Sequence, residues 1–506
     1  MSKQSDAGLR HNWAEALCLK EFAPWLHRPL DRISLADGFT HYNATRRSVF
    51  LFEIDAGVVR VLEKPGFRIR EEFADGSAAI PDEAGLMYRD EFIRAHMYRA
   101  FIERVLSCAG LRLSFTMAID VNDDPIQDAS VPIFAFQKHE ASNTLLIPDV
   151  DFLHYHFYVP AEHRDTISYR NKTPSAIFAG STTGGRTITE DDVRSLSIPR
   201  LRSAVFFRDK EGVEFRLPRV VQCASRRTEE MIEALGFGAG LCPWAEQFSH
   251  RLILSMDGNG ATCSRVAIAL KSNGVLLKYD SPHLLYYFNE LVPWRHFIPI
   301  SSDADVLDLV EAERRRPGVF RSIAEEGRAF ADTYLSRNGV VAYTAGLLAM
   351  YADCLCDGGP WRLAPLHELG VHLDAGAHVQ GIGDVWAWPG EWVGERGAGR
   401  GIEAIMVVPG EPLAYDDVEY RVVLQDGALS DWARAGEPCG TRGQDAALRG
   451  FCLRLSASAA QNFDCVYHAS FVGGPALGPF RAGELCVSDG EACLESFRLE
   501  IARRRG

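Results

Sequence analysis

The chain has 506 residues, 47% of them hydrophobic and 24% charged, which is the composition of a folded globular protein and excludes wholesale disorder, collagen-like and coiled-coil architectures. Lys and Arg number 54 against 68 Asp and Glu, a net charge of -14 that excludes bulk attraction to nucleic acid or anionic lipid. A chain of this length predicts about three domains.

The segment Met1 to Lys20 alternates charged and apolar residues and lacks the basic and apolar blocks of a signal peptide. No apolar run approaches the ~20 residues that span a bilayer; the longest, Val340 to Met350, is interrupted by Thr344 and Gly346. The expectation is a soluble, cytoplasmic protein without a transmembrane segment. The 12 cysteines include no CxxC pair, and Cys354 and Cys356 stand too close for a zinc site, so reduced thiols and no metal are expected.

In chain order, residues 1–170 form a first region. Leu86, Met87, Phe92, Ile93, Met97, Phe101 and Val105 recur at helical spacing and predict an amphipathic helix over Glu83 to Leu106. Leu113 to Val121 and Val131 to Phe136 predict buried strands, which gives α/β layering. A second region spans 171–357. Strands are predicted at Ser175 to Ala179, Arg219 to Cys223, Leu252 to Met256, Val275 to Lys278 and Phe297 to Ile300. Helices are predicted at Ser264 to Lys271, Val306 to Leu335 and Val340 to Leu355, so a parallel, doubly wound sheet is expected. The junction Asp357-Gly-Gly-Pro360 reads as a break after the last helix. The third region, 363–506, is Gly-rich and reads as all-β. Gly390-Glu-Trp392, Gly436-Glu-Pro-Cys439 and Gly483-Glu-Leu-Cys486 recur at intervals of 46 and 47 residues, each between two apolar strands, which predicts three-fold pseudo-symmetry.

Two Gly-rich loops, Gly180-Ser-Thr-Thr-Gly-Gly185 and Asp257-Gly-Asn-Gly260, sit where a strand ends and a helix begins. Glycine permits close backbone approach, and amides at a helix start suit phosphate oxygens. Arg186 and Arg265 follow the loops and offer planar forks to an anion. Each loop alone also fits an ordinary turn, since neither is a Walker sequence nor a GxGxxG.

Asp257-Gly-Asn-Gly-Ala-Thr-Cys-Ser-Arg265, Leu276-Leu-Lys278 and Pro293-Trp-Arg-His-Phe-Ile-Pro299 together resemble the signature of glycosyltransferase family 90. That family includes lipopolysaccharide-modifying, capsule-associated and protein O-glucosyltransferases. Phe178 to Arg186 resembles its strand-Gly-Ser-x-Thr loop, and Ile119 to Pro125 followed by Val131 to Phe136 resembles its Asn-x-x-Asp-x-Pro region. The resemblance covers roughly Leu113 to Asp357. It implies a GT-B fold of two Rossmann-like domains, a UDP-sugar donor, a glycan or glycolipid acceptor, inversion at the anomeric carbon and no metal or other cofactor. It places the catalytic Asp at Asp123, with Asp124 and Asp120 as rivals; Asp124, before Pro125, also reads as a turn former. It places the donor at Ser181, Thr182, Thr183, Gly184, Arg186, Asp257, Gly258, Asn259, Gly260, Thr262, Ser264 and Arg265, with Arg265 and Arg186 on the diphosphate; Lys278, after an apolar strand end, is expected at the donor as well and equally fits a solvated Lys. Ala179 stands where the glucosyltransferases carry Arg, so the identity of the sugar does not carry over. A carboxylate is ionised at neutral pH and can take the proton of an attacking hydroxyl, while fixed cations stabilise a departing diphosphate.

His154-Tyr-His156 is expected on one strand face, in a structural or acceptor-side role. Trp294 and Trp386 are expected as packing aromatics. Asp149-Val-Asp151 is placed by the resemblance away from the diphosphate, and Asp303-Ala-Asp305 reads as a helix cap. The C-terminal region, with Val379-Gln-Gly-Ile-Gly383, Gly399 to Ile405 and Tyr420 to Asp426 with Trp432, is similar to clostridial hydrophobic Trp repeats. Three copies predict a β-prism, alternatively a β-trefoil, that binds sugar or provides an oligomer contact. Two functional readings follow: a glycosyltransferase acting on lipopolysaccharide or another surface polysaccharide, and a catalytically silent sugar-binding protein that kept the fold.

Overall fold

The computed structural model describes residues 6–26, 31–69, 86–87, 89–237, 240–261, 263–356, 371–488 and 490–504. The chain separates into two compact units, Met1–Tyr158 with Glu162–His367, and Val159–Ala161 with Glu368–Gly506. The break expected at 357–360 lies outside the described residues. No helix among the described residues is long and apolar enough to cross a membrane.

The first unit is mixed α/β and holds two five-stranded sheets. One consists of β1 (Val49–Asp55), β2 (Val58–Val61), β3 (Phe115–Asp120), β4 (Ile133–Ala135) and β5 (Leu145–Leu146), in the order β2-β1-β3-β4-β5. It is parallel across β3-β4-β5 and antiparallel at the β2-β1-β3 edge. The helix Arg89–Ala109 buries Tyr98, Phe101, Ile102, Val105 and Leu106, residues spaced three and four apart on one face. It begins later than the sequence predicts: Leu86–Met87 is a short strand, and residues 83–85 and 88 lie outside the described set.

The other sheet contains β6 (Thr173–Ser181), β7 (Val213–Arg219), β8 (His250–Ser255), β9 (Val275–Tyr279) and β10 (Ile298–Ile300). It is parallel throughout, with the order β7-β6-β8-β9-β10. The chain goes from β6 to one side and then returns to the other, so the strand order reverses between β6 and β8. Ligands of open parallel sheets bind beyond the carboxyl ends of the strands at such a reversal. Both Gly-rich loops leave from those two ends.

Two predicted elements are corrected. The strand expected at Arg219 to Cys223 lies earlier, at Val213–Arg219. Gln222 sits at φ 60°, and the Val221 N–H and C=O pair with Thr182 Oγ1 rather than with a strand. The helix expected over Val306 to Leu335 is two, Asp303–Arg315 and Arg321–Tyr334. Pro317 supplies no N–H between them, and Gly318 turns the backbone at φ 92°. The last helix, Arg337–Cys356, follows the parallel sheet but is fastened to the other one. Tyr343 Oη donates to Leu146 O at 2.7 Å, and Tyr351 Oη to Thr116 O at 3.1 Å.

The second unit is all-antiparallel. Its strands are β11 (Leu373–Val379), β12 (Gly383–Ala387), β13 (Trp392–Val393), β14 (Ile402–Pro409), β15 (Val418–Val423), β16 (Ala433–Arg434), β17 (Cys439–Gly440), β18 (Gly450–Leu455), β19 (Phe463–Phe471), β20 (Ala476–Arg481), β21 (Cys486–Val487) and β22 (Leu494–Arg503). They form three four-stranded sheets, β12-β11-β14-β17, β16-β15-β18-β21 and β20-β19-β22-β13. The short outer strand of each comes from the next repeat, cyclically. Side chains repeat the same cycle. Glu403 accepts from Gln444 N at 3.3 Å, Arg449 donates to Gly490 O at 3.0 Å, and Glu495 accepts from Gly397 N at 2.8 Å and Gly399 N at 2.7 Å. Ile402, Ile405, Val418, Tyr420, Phe451, Leu453, Tyr467, Leu494 and Phe497 belong to one core.

Glu495 is buried, and its removal takes the acceptor from two loop amides, while the Ser470 hydroxyl keeps Ser496 Oγ at 2.8 Å. Glu495→Ala is expected to cost about 2–3 kcal/mol in urea unfolding of the intact chain, since a hydrogen bond to a charged group is worth about 1.5–3 kcal/mol. Glu495→Gln is expected to lose about half as much. An unchanged unfolding midpoint for Glu495→Ala refutes the role given to this carboxylate.

Candidate functional site

The loops after β6 and β8 converge on a residue that no motif marks, Arg200, near the start of the helix Pro199–Phe207. Its side chain is buried, with the residue 4% exposed. Nη1 donates to Ser181 O at 2.9 Å and Thr183 Oγ1 at 2.8 Å. Nε donates to Asp257 O at 3.0 Å, and Nη2 to Met256 O at 2.8 Å. One guanidinium therefore spans both loops. Burial pushes its pKa down to about 10, opposed by the Asp257 charge.

Arg265, in the first turn of the helix Cys263–Lys271, lies over Phe178 at 4.9 Å and Trp244 at 5.2 Å. It donates to Gln247 Oε1 at 2.9 Å and to Ala179 O. Burial, then repulsion by Arg200, pushes its pKa down. A guanidinium nonetheless stays protonated at neutral pH. Arg200 and Arg265 thus bring two cations to the loops with carbonyl, amide and hydroxyl partners rather than a direct carboxylate contact, an arrangement that favours an anionic ligand.

The glycines are there for space. A Cβ on Gly258 would collide with Thr183 Oγ1 and Arg200 Nη2, and one on Gly260 with the Gln137 amide. Asn259 joins the parts. Its Oδ1 accepts from Gly185 N at 3.3 Å, and its Nδ2 donates to Asp123 Oδ2 at 3.1 Å. Arg94 Nη1 reaches Asp123 Oδ1 at 2.8 Å. Gln137 holds the Asp123 carbonyl with Nε2 and receives Ala261 N on Oε1 at 2.7 Å. The half-exposed Asp123 carboxylate, one-third accessible, therefore faces the loops.

The remaining expected residues fall as follows. Ser181 Oγ lies 3.2 Å from Thr183 Oγ1. Thr182 is fully buried and committed to Val221. Gly184 leaves room for Ile198. The Arg186 fork, expected on phosphate oxygens, is spent on Asp192 at 2.8 and 2.5 Å. Asp257 receives Ser281 Oγ at 2.6 Å, and burial raises its pKa. Lys278 Nζ lies over Phe288 at 4.7 Å, with its pKa lowered by burial against the charges of Asp257 and Asp280. Thr262 lies outside the described residues. Ser264 hydrogen-bonds Asp151, and Cys263 hydrogen-bonds Asp149. The carboxylate pair expected away from the site is thus packed against the helix that leaves the second loop. Burial raises both acids, Asp151 to about 7.

Asp120 is a turn former: its oxygens accept Asn122 N at 3.1 Å and Ile126 N at 3.0 Å. Asp124 is exposed. His154 and His156 do not share a strand face. Residues 151–154 are helical, and His156, Phe157 and Tyr158 turn at φ 45°, 55° and 59°, with His156 Nε2 at 2.9 Å from Arg337 Nη2. Trp294 is 58% exposed rather than packed, whereas Trp386 lies against Gly376. At the expected cap, Asp305 closes a capping box with Ser302, while Asp303 receives Ser203 Oγ and Tyr279 Oη. Among the described residues no group of three His, Cys, Asp or Glu side chains is placed to hold a metal.

Sequence reasoning missed Arg200, Arg94 and Gln137. Arg94 carried a signal, because Tyr98, Phe101 and Val105 follow it at i+4, i+7 and i+11 on the buried helix face. Arg200 carried none.

Two guanidinium groups and a partly exposed carboxylate thus meet the two Gly-rich loops where the strand order of the parallel sheet reverses. Residues 115–357 match the sequence model of glycosyl transferase family 90. Similar proteins include Protein O-glucosyltransferase 2 of Danio rerio, 32% identical over 107 residues, which are 21% of each chain. Protein O-glucosyltransferase 3 of Homo sapiens is 26% identical over 29% of this chain and 31% of its own, and that of Rattus norvegicus 20% identical over 57% and 59%. The matches therefore span from a fifth to three-fifths of these relatives' lengths.

Arg200→Met strands several buried acceptors, each costing about 1–3 kcal/mol. It is expected to lower the unfolding free energy by at least about 3 kcal/mol, while Arg186→Met, at an exposed pair, is expected to leave the midpoint nearly unchanged. Equal effects of the two substitutions contradict the assignment of Arg200 as the clamp.

Proposed function

We propose that the protein is an inverting, metal-independent glycosyltransferase that moves a sugar from a UDP-sugar to a hydroxyl of a glycan, as in lipopolysaccharide or another surface polysaccharide. The observation that carries this reading is the Asp123 carboxylate held against the two Gly-rich loops through Asn259. The two sheets of the first unit support a GT-B reading, and the three sheets with exchanged outer strands support a β-prism.

In this reading the diphosphate lies between residues 181–185 and 256–260, with Arg265 as its main cation and Arg200 holding the loops around it. The acceptor oxygen bonds to the anomeric carbon as the bond to UDP breaks from the opposite face. The acceptor proton passes to Asp123, and the negative charge that develops on UDP falls on Arg265 and the loop amides. One positioned donor at such a charge is worth about 10²–10³ in rate. The names of the relatives support a hexose as the transferred group.

The test is release of UDP from a panel of UDP-sugars. Wild type is expected to turn over at least one, and Asp123→Asn is expected to bind UDP normally with turnover reduced at least ~10²-fold, the loss of a general base. UDP binding without release from any donor, with or without added glycans, favours the silent sugar-binding protein. Turnover is expected to survive excess EDTA; loss on EDTA and recovery with Mn²⁺ refutes metal independence.

A further inference from the structure

We infer that Arg94 is a positioning residue for the transfer reaction: it fixes the Asp123 carboxylate in the orientation in which it receives the acceptor proton. The inference rests on the reading of Asp123 as the base. It concerns a residue from the helix Arg89–Ala109, which precedes the family-matched segment 115–357.

Three contacts set the guanidinium. It lies over the Phe136 ring at 5.6 Å, and its Nη1 is shared between Val121 O at 3.0 Å and Asp123 Oδ1 at 2.8 Å. Burial disfavours the Arg94 charge, and the adjoining Asp123 outweighs burial and holds the group above its usual range. The two carboxylate oxygens are thus tied from opposite sides. Oδ1 is held by Arg94, on the helix over the first sheet, and Oδ2 by Asn259, in the loop of the second. Gln137 fixes the backbone of Asp123 in the same way. Each oxygen spends one hydrogen bond, and a carboxylate has about four lone-pair directions. Acceptor capacity therefore remains on a side chain held by both of its oxygens.

The surrounding charges argue that this contact is selective. Asp123, Asp149 and Asp151 all act on Arg94 or on each other, and one guanidinium cannot neutralise three carboxylates. Asp123 has the direct contact. Asp149 and Asp151 have Cys263 and Ser264 as partners, and burial favours their neutral forms. Without Arg94, the Asp123 side chain keeps only the Asn259 hydrogen bond among those described. A base misplaced by about 1 Å loses on the order of 10² in rate.

The experiment compares wild type, Arg94→Met, Arg94→Lys and Asp123→Asn, reading UDP release from UDP-glucose, UDP-galactose and UDP-xylose, UDP binding by calorimetry, and the melting temperature. Arg94→Met is expected to lower kcat about 10²-fold with donor KM and UDP Kd within a few-fold of wild type. Arg94→Lys, which keeps a cation beside Asp123, is expected to recover about tenfold of that loss. A kcat for Arg94→Met within threefold of wild type, with Asp123→Asn inactive, overturns the positioning role and leaves the base in place. Lys no better than Met, with melting temperature and UDP binding falling alongside kcat, assigns Arg94 to structure alone and also overturns it. Turnover retained by Asp123→Asn, or no UDP release by wild type, removes the reading of the site and this inference with it.

Discussion

One buried guanidinium sets the distance between the two Gly-rich loops. Arg200 directs its N–H groups to Ser181, Thr183, Met256 and Asp257, and burial in a site without a contacting carboxylate makes each of those bonds costly to lose. Much of the local geometry follows from it. Gly258 is bare because Thr183 and Arg200 occupy the space of its Cβ. Asn259, the next residue, then stands between the first loop and Asp123 and bonds to both. A side chain of a different length at 200 would move the loops apart, and Asn259 could no longer reach both partners.

The fold brings this clamp to Asp123 by fastening the two sheets of the first unit together. The carboxylate leaves the end of β3, whereas the loops leave β6 and β8. The helix Arg337–Cys356 comes after the parallel sheet in the chain but donates Tyr343 and Tyr351 hydroxyls to β5 and β3 backbone. Gln137, just beyond β4, clasps Ala261 in the second loop and Asp123 in the first half. Glu21 adds a buried contact to Lys138 and to the backbone of Leu146. The positions of Asp123 and the loops are therefore coupled through several bonds.

Local pattern carried much of this arrangement. The strands at Phe115–Asp120, Ile133–Ala135, Thr173–Ser181, His250–Ser255 and Val275–Tyr279 contain short apolar runs, and in the last three a Gly, Asp or Ser at or just beyond the strand end adds punctuation. The repeat in the C-terminal unit was visible because each copy reuses the same Gly-Glu turn. Its cyclic closure was not, since the equivalent places hold Glu403, Arg449 and Glu495, two acids and a base. What stayed hidden depends on long-range contact. Arg200 lies 56 residues or more before its partners in the second loop, in a helix whose spacing predicts nothing about them. Val220 and Val221 read as a strand, but the Thr182 hydroxyl takes the backbone bonds a ladder would need. Arg186 follows a Gly-rich loop as a phosphate ligand would, yet Asp192, in a capping box six residues on, claims it. Asp149 and Asp151 could not be placed because their position depends on the packing of the first half against the helix Cys263–Lys271.

The measurement that bears most directly on the account is a structure of the intact chain with UDP bound. The diphosphate is expected between residues 181–185 and 256–260, within hydrogen-bond reach of Arg265, with Arg200 still on both loops and the Asp123 carboxylate facing the open side of the phosphate. UDP bound elsewhere on the first unit, or an Asp123 carboxylate turned away from an occupied crevice, contradicts it.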